Sequence, residues 1–200
     1  MKQKPSLKIS MKSLVGVVEA SSKIHLKYFR KWGPGAGDEK AAKEIVSRVD
    51  REAEDFLKTK LLKLLPGSSF YGEETGRSGK GEYLWIVDPL DGTGNYLSGL
   101  DHYSISVALA RENPSAKDEP ELIAGVVYKP ANGEVFSAEK NQGAFHNGKR
   151  LGKARKIPLS RSLVATGTPY RSPDTAESFY ACAREMVNES RDLRRFGSAA

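Results

Sequence analysis

Trp85-Ile86-Val87-Asp88-Pro89-Leu90-Asp91-Gly92-Thr93-Gly94-Asn95-Tyr96 is the stretch on which the reading of this chain turns. Its apolar lead, the run Tyr83 to Val87, predicts a buried strand that delivers Asp88 at its end. Pro89 fixes the backbone and has no N–H with which to extend a sheet. Asp91 comes three residues after Asp88 and is expected to fold back beside it in a turn. Gly92 lets a ligand approach the main chain closely. Two carboxylates so placed suit a hard cation, which takes several oxygen ligands. An ordinary Asp-Pro…Asp-Gly turn at a strand end accounts for the segment equally well when it is taken alone.

Working outward, Glu73 stands fifteen residues upstream of the first aspartate with Glu74 beside it, in Phe70-Tyr-Gly-Glu-Glu-Thr75. Adjacent acids repel, so a cation is a natural neighbour, although a solvated loop explains the pair on its own. Asp50 lies further upstream, where the polar face of a helix would account for it.

The surrounding pattern predicts a helix from Ser13 to Trp32 with Leu14, Val17, Val18, Ile24 and Leu26 among its apolar positions. Gly33 to Gly37 should break it, and Asp38 should cap a second helix running toward Leu65. That helix should turn Ile45, Val49, Phe56, Leu57 and Leu61 inward. Strands are expected at Ser69 to Gly72, Tyr83 to Val87, Ser104 to Ala110, Leu122 to Tyr128 and Val135 to Ala138. Asn132-Gly133 and Asn147-Gly148 mark turns. Leu163 to Thr168 and Leu193 to Phe196 read as further strands, with a helix from Thr175 to Val187 between them. Two helices, then sheet, then mixed elements predict an α/β (α+β layered) fold of stacked helix and sheet layers. A compositional seam at Arg155 to Ser162 divides a metal-binding half, residues 1–155, from the start of a second α/β half, residues 156–200.

The 200 residues carry 32 basic and 25 acidic side chains, a net charge of +7, and are 38% hydrophobic. That balance is ordinary for a globular protein and favours anionic partners. The basic residues are dispersed, which argues against a dedicated nucleic-acid groove. The single cysteine, Cys182, forms no internal disulfide and is expected to be a buried structural thiol. No signal peptide or membrane span is visible, so a cytoplasmic protein is expected. His25, His102 and His146 lack metal-ligand spacing and are expected to be structural or exposed. Ser21-Ser22 and Ser68-Ser69 lack the context of a nucleophile.

Taken together, these elements resemble the inositol monophosphatase family of lithium-sensitive, metal-dependent phosphatases. Asp88-Pro-Leu-Asp-Gly-Thr93 with its apolar lead is similar to the family's first motif, and Gly72-Glu73-Glu74 to its Gly-Glu-Glu element. Glu44-Ile-Val-Ser-Arg-Val-Asp50 loosely resembles the upstream Asp-x-Val-Thr-x-x-Asp stretch, with Glu for the first Asp and Ser for Thr. Gly125-Val-Val-Tyr128 with Pro130, Gly143-Ala-Phe145 before Asn147-Gly148, and Arg195-Phe-Gly-Ser-Ala-Ala200 extend the likeness over residues 11 to 200. Gly94 departs from the Thr that many members carry. The second motif, Trp-Asp-x-Ala-Ala/Gly, is absent and would lie beyond Ala200, so the chain is expected to be incomplete at its C-terminus and to turn over poorly by itself.

The resemblance implies magnesium-dependent hydrolysis of a small phosphate monoester, inositol monophosphate first. Fructose 1,6-bisphosphate, histidinol phosphate and phosphoadenosine phosphate are alternatives, although Gly92 to Tyr96 looks less like the adenosine-phosphate branch. Mg2+ would be held by Glu73, Asp88, the main-chain oxygen of Leu90, and Asp91. Glu73, Thr93 and Asp50 would act on the attacking water. Asp91, Gly92, Thr93, Gly197, Ser198 and Ala199 would contact substrate. Ser198 also reads as a helix cap, and the Thr93 hydroxyl as a turn hydroxyl bonded to backbone. A homodimer is implied as well. A noncatalytic RNA- or protein-binding module on the same scaffold is the rival from another class.

Overall fold

The computed structural model describes residues 9–31, 39–112, 120–169 and 172–200. Trp32, the break at Gly33 to Gly37, the Asp38 cap and the side chain of Ile45 lie outside what is described. The chain divides into two compact units, Met1–Leu151 with Ala200, and Gly152–Ala199.

The first unit opens with helices α1 (Met11–Tyr28) and α2 (Glu39–Leu64). Eight strands follow: β1 (Ser69–Gly72), β2 (Gly76–Ser78), β3 (Tyr83–Asp91), β4 (Ser104–Arg111), β5 (Glu121–Lys129), β6 (Glu134–Glu139), β7 (Gly143–His146) and β8 (Lys149–Arg150). A short helix, α3 (Thr93–Leu97), joins β3 to β4. The strands form one sheet in the order β2-β1-β3-β4-β5-β6-β7-β8. Every neighbouring pair is antiparallel except β1 and β3, which run parallel. Helices pack on the sheet, α2 against β1 and β3 and α1 against β4, β5 and β6. The layered α/β architecture is the one the pattern predicts.

Ser10 starts α1 by accepting a 3.1 Å hydrogen bond from the Ser13 N–H through Oγ, satisfying one of the helix's orphan donors. Leu14, Val18, Ser21, Ser22 and His25 are the buried positions of this helix. Ser21 and Ser22 donate to Val18 O and Glu19 O, which satisfies their hydroxyls inside the helix. Leu26, one of the apolar positions of this helix, is 48% exposed, because it sits about 100° round the helix from the buried His25. In α2 the buried stripe is Val46, Val49, Asp50, Ala53, Glu54, Leu57 and Leu61, so two acids share a face with the core residues. Phe70, Trp85, Val87, Ile105, Val107, Leu109 and Val126 meet Leu14, Val18, Leu57, Leu61 and Leu65 in the main core. Trp85 is fully buried and donates from Nε1 to Ser68 Oγ at 3.0 Å, so its one polar atom is satisfied. The turn at Asn147-Gly148 links β7 to β8 with positive φ at both residues, 49° and 74°, the geometry a two-residue hairpin loop needs.

The strand carrying the aspartates is longer than the apolar run predicts, and it continues through Asp91. Asp88 pairs with Ser106 and Asp91 with Ser104, so three steps on β3 match two on β4. That extra residue is a β-bulge, at the place where Pro89 has no N–H to donate. Asp91 therefore does not fold back in a turn after the strand. The bulge is what brings it beside Asp88. In a regular strand, residues three apart face opposite ways; one inserted residue restores both carboxylates to the face shared by Ser104 and Ser106.

His25 anchors this bulge to α1. Its Nε2 lies 2.7 Å from Pro89 O, and its Nδ1 3.3 Å from Ser21 O. Both partners are acceptors, and a neutral ring has one N–H, which the shorter contact places on Nε2. Burial pushes the His25 pKa down to about 4, against the opposing pull of the two carbonyls. Tyr96 closes the arrangement by donating from its hydroxyl to His25 O at 2.7 Å. Tyr96, Tyr103, Leu90, Val46 and Val49 form a second core cluster with Phe29 packed on it.

The second unit is a small βαβ element. Strands β9 (Leu163–Thr166) and β10 (Asp192–Arg195) pair in parallel, joined across helix α4 (Ala176–Glu189). Short 3-10 turns lie at Leu159–Arg161 and Pro173–Thr175. Cys182 is exposed rather than buried. The partly covered positions of α4 are Ala176, Phe179, Ala183 and Met186, and position 182 lies off that stripe.

Two outcomes follow for stability. Leu57→Ala should cost about 2–5 kcal/mol in urea unfolding, as a fully buried leucine does, while Leu26→Ala should stay within about 0.5 kcal/mol of the parent. The unfolded chain binds a proton at His25 near pH 6.5 and the folded chain near pH 4. Stability from this residue is therefore complete above pH 6.5 and falls as pH drops to 4, by an amount on the order of 3 kcal/mol. His25→Phe should remove that slope from the unfolding curve, and an unchanged slope would show that the ring is not held neutral.

Candidate active site

Parallel pairing sets β1 against β3 with Phe70 opposite Trp85, Tyr71 opposite Ile86 and Gly72 opposite Val87. The next residue on each chain is a carboxylate, Glu73 on one and Asp88 on the other. The fifteen-residue gap in sequence is thus closed by register alone, at the carboxyl ends of the two strands, where open α/β sheets bind ligands. α2 contributes Asp50 from its buried stripe, at 7% exposure. Glu73 is exposed, and Asp88 and Asp91 are half-buried.

Hydrogen bonds hold the motif in shape. Leu90 N–H donates to Asp88 Oδ1 at 3.1 Å, Thr93 Oγ1 donates to Leu90 O at 3.1 Å, and Ser104 Oγ donates to Asp91 Oδ2 at 3.4 Å. Gly92 takes φ 91°, a left-handed conformation that frees the chain to turn from β3 into α3.

The electrostatics of the cluster are those of acids crowded together. Asp50 is raised to about 8, first by burial and then by Glu74, Glu73, Asp88 and Glu54. Asp88 is raised to about 7, first by burial and then by Glu73 and Asp91, and it approaches Glu73 closely enough to share a proton with it. A like-charged pair about 4 Å apart costs about 4 kcal/mol at an effective dielectric near 20, a large part of the roughly 5–15 kcal/mol that holds a domain folded. The cluster therefore keeps protons or takes up a cation.

The donor set fits a hard divalent ion. It offers only oxygen, most of it charged, and part of it withdrawn from water. The fit is one of donor chemistry and neighbourhood. Among the described residues, no group of three or more His, Cys, Asp or Glu side chains is drawn in tightly enough to hold a metal ion as it stands. Glu73, Asp88 and Asp91 are neighbours toward the carboxyl ends of β1 and β3 and do not form a closed cage.

Other expected residues are placed as follows. The interactions of Asp50 run to the acids, and Thr93 gives its proton to the carbonyl of Leu90, as the turn reading of that hydroxyl had it. Gly197, Ser198 and Ala199 belong to the second unit, after β10, with Gly197 at φ 77°. Two residues bear on the motif without having been singled out as part of it, His25 behind the bulge and Glu54 behind the Glu73 loop. Glu54 carried a readable signal, since it lies four residues after Asp50 and between the apolar positions Ala53 and Leu57. His25 carried none, because its partner, Pro89 O, is 64 residues away.

Among the described residues, no helix is long and apolar enough to cross a membrane. The model of the inositol monophosphatase family matches residues 10–200. An inositol-1-monophosphatase of Rhizobium meliloti is 37% identical over 163 residues, which are 80% of this chain and 59% of that protein. A protein of Pseudomonas aeruginosa named Nus factor SuhB is 36% identical over 169 residues, 82% of this chain and 60% of its own length. The crystal structure of an extragenic suppressor protein suhB from Bartonella henselae superposes with a TM-score of 0.78 at 30% identity, covering 95% of this chain and 69% of that one. The chain thus spans about three-fifths of the length of these curated relatives. A family match along nearly the whole chain coincides with a fold that sets Glu73, Asp88 and Asp91 side by side, and the chain belongs to the inositol monophosphatase family.

Proposed function

We propose that this chain carries the metal-binding half of a magnesium-dependent phosphatase acting on a small phosphate monoester, with inositol monophosphate the first candidate. The observation that supports this reading most strongly is the β3 bulge, which turns Asp88 and Asp91 to one face beside Glu73. Glu73, Asp88, the main-chain oxygen of Leu90, and Asp91 would hold Mg2+. When bound there, the ion neutralises phosphoryl and leaving-group charge and lowers the pKa of water.

The chain's own residues supply the rest. Asp50 has a pKa near 8 and accepts or releases a proton close to neutrality, the range in which acid–base groups work. Thr93 directs its hydroxyl proton to Leu90 O, leaving the Oγ1 lone pairs to accept from a water or a substrate hydroxyl. Glu73 is the exposed member of the cluster and can receive a proton from the incoming water. Asp91, Gly92 and Thr93 lie where the chain leaves the sheet and would contact substrate. The same role for Gly197, Ser198 and Ala199 rests on family resemblance alone. A homodimer rests on that resemblance as well, whereas a cytoplasmic location rests on the sequence pattern and the division into residues 1–155 and 156–200 on the compositional seam at Arg155 to Ser162.

A second reading is a noncatalytic module that binds RNA or protein, favoured by the Nus factor name of one relative. The two separate by assay. In titration calorimetry the chain should bind Mg2+, and Asp88→Asn should weaken binding at least about tenfold. Phosphate release should require Mg2+ and should be measured on inositol monophosphate, fructose 1,6-bisphosphate, histidinol phosphate and phosphoadenosine phosphate. Asp91→Asn should keep the fold by circular dichroism and lose most of this turnover. Phosphate release by that variant at the parent rate would contradict the site assignment.

A further inference from the structure

We propose that Glu54 is a positioning residue whose buried carboxylate fixes the backbone carrying Glu73; this rests on Glu73 being a metal ligand. Glu54 lies on α2 one turn after Asp50 and is fully buried. Its Oε2 accepts from the Glu74 N–H and its Oε1 from the Thr75 N–H, both at 2.9 Å. Both oxygens thus take main-chain donors. Asp88 has one oxygen on the Leu90 N–H, and Asp50 is held among like charges.

The clamp is tight on its other side too. A Cβ at Gly72 would overlap the Glu54 carboxylate, so the loop passes directly over it and a side chain at position 72 would displace that carboxylate. Gly72 pairs with Gly76 across the β1–β2 hairpin, so residues 73–75 form the turn between them. Gly72, Glu74 and Thr75 meet Glu54, and Glu73 between them keeps its side chain exposed. Fixing the flanking backbone fixes where Glu73 can reach.

A carboxylate is needed because both loop partners donate. Bonds from N–H groups to an ionised acceptor are about twice as strong as neutral ones. An amide of the same shape would turn an NH2 toward one of those N–H groups. Since α2 also carries Asp50, the clamp ties the Glu73 loop to the helix that supplies Asp50.

The experiment is Mn2+ binding followed by electron paramagnetic resonance on the parent chain, Glu73→Gln, Glu54→Gln and the double variant. Glu54→Gln should weaken binding about 10- to 100-fold. The double variant should bind no more weakly than Glu73→Gln, because the two changes act through one ligand. A residue that merely stabilises the fold would instead give losses that multiply, and that result overturns the proposal. Parent-like binding by Glu54→Gln, with Glu73→Gln weakened, overturns the proposal and leaves the ligand assignment standing. Parent-like binding by Glu73→Gln removes both. If Glu54→Gln does not fold, amide hydrogen exchange on the parent chain decides. The Glu74 and Thr75 amides should exchange at least about 100-fold more slowly than an unprotected loop amide. Exchange at the unprotected rate overturns the proposal.

Discussion

Like charge held at close quarters is the constraint around which this structure is arranged. Asp50, Glu73, Asp88 and Asp91 approach one another where two parallel strands meet α2, and burial deprives Asp50 and Asp88 of much of the water that would screen them. Left to themselves such groups would splay apart, because each close pair costs a few kcal/mol. The surrounding hydrogen bonds and packing oppose that separation. Sites that store strain or charge in this way depend on neighbours that over-determine the geometry.

Three supports do this, each from a different element. His25 on α1 holds Pro89 O, and with it the bulge that aligns Asp88 and Asp91. Tyr96 on α3 ties back to the same histidine's carbonyl and packs against Leu90 and Tyr103. Glu54 on α2 holds the loop that brings in Glu73. None of the three need touch a substrate. They account for polar groups that sit fully buried at core positions, where an apolar residue would otherwise be expected.

Much of this was legible in the sequence, in proportion to how local each feature is. The apolar run into Asp88, the turn glycines and the period of α2 are local signals, and the elements formed where they pointed. The bulge was not legible, because it is defined by the register of β3 against Ser104 and Ser106 on another strand. Leu26 and Cys182 misled for a related reason: composition marks them as interior, and only the packing of their helices turns them out. Asp50 read as part of a polar helix face, yet it lies on the buried stripe of α2, four residues before Glu54. Glu73 was legible from its own surroundings only as one of two adjacent acids, and the Gly-Glu-Glu likeness to a family gave it its role, since nothing in a fifteen-residue spacing announces parallel pairing.

The central claim is that the bulge and the parallel register together assemble one cation site. A crystal structure of the chain grown with Mn2+, with anomalous diffraction measured at the manganese edge, tests it most directly. The account requires an anomalous peak in coordination distance of carboxylate oxygens from Glu73, Asp88 and Asp91 and of the Leu90 carbonyl oxygen. A peak elsewhere on the molecule with none here, or these three carboxylates diverging onto separate faces, would contradict it.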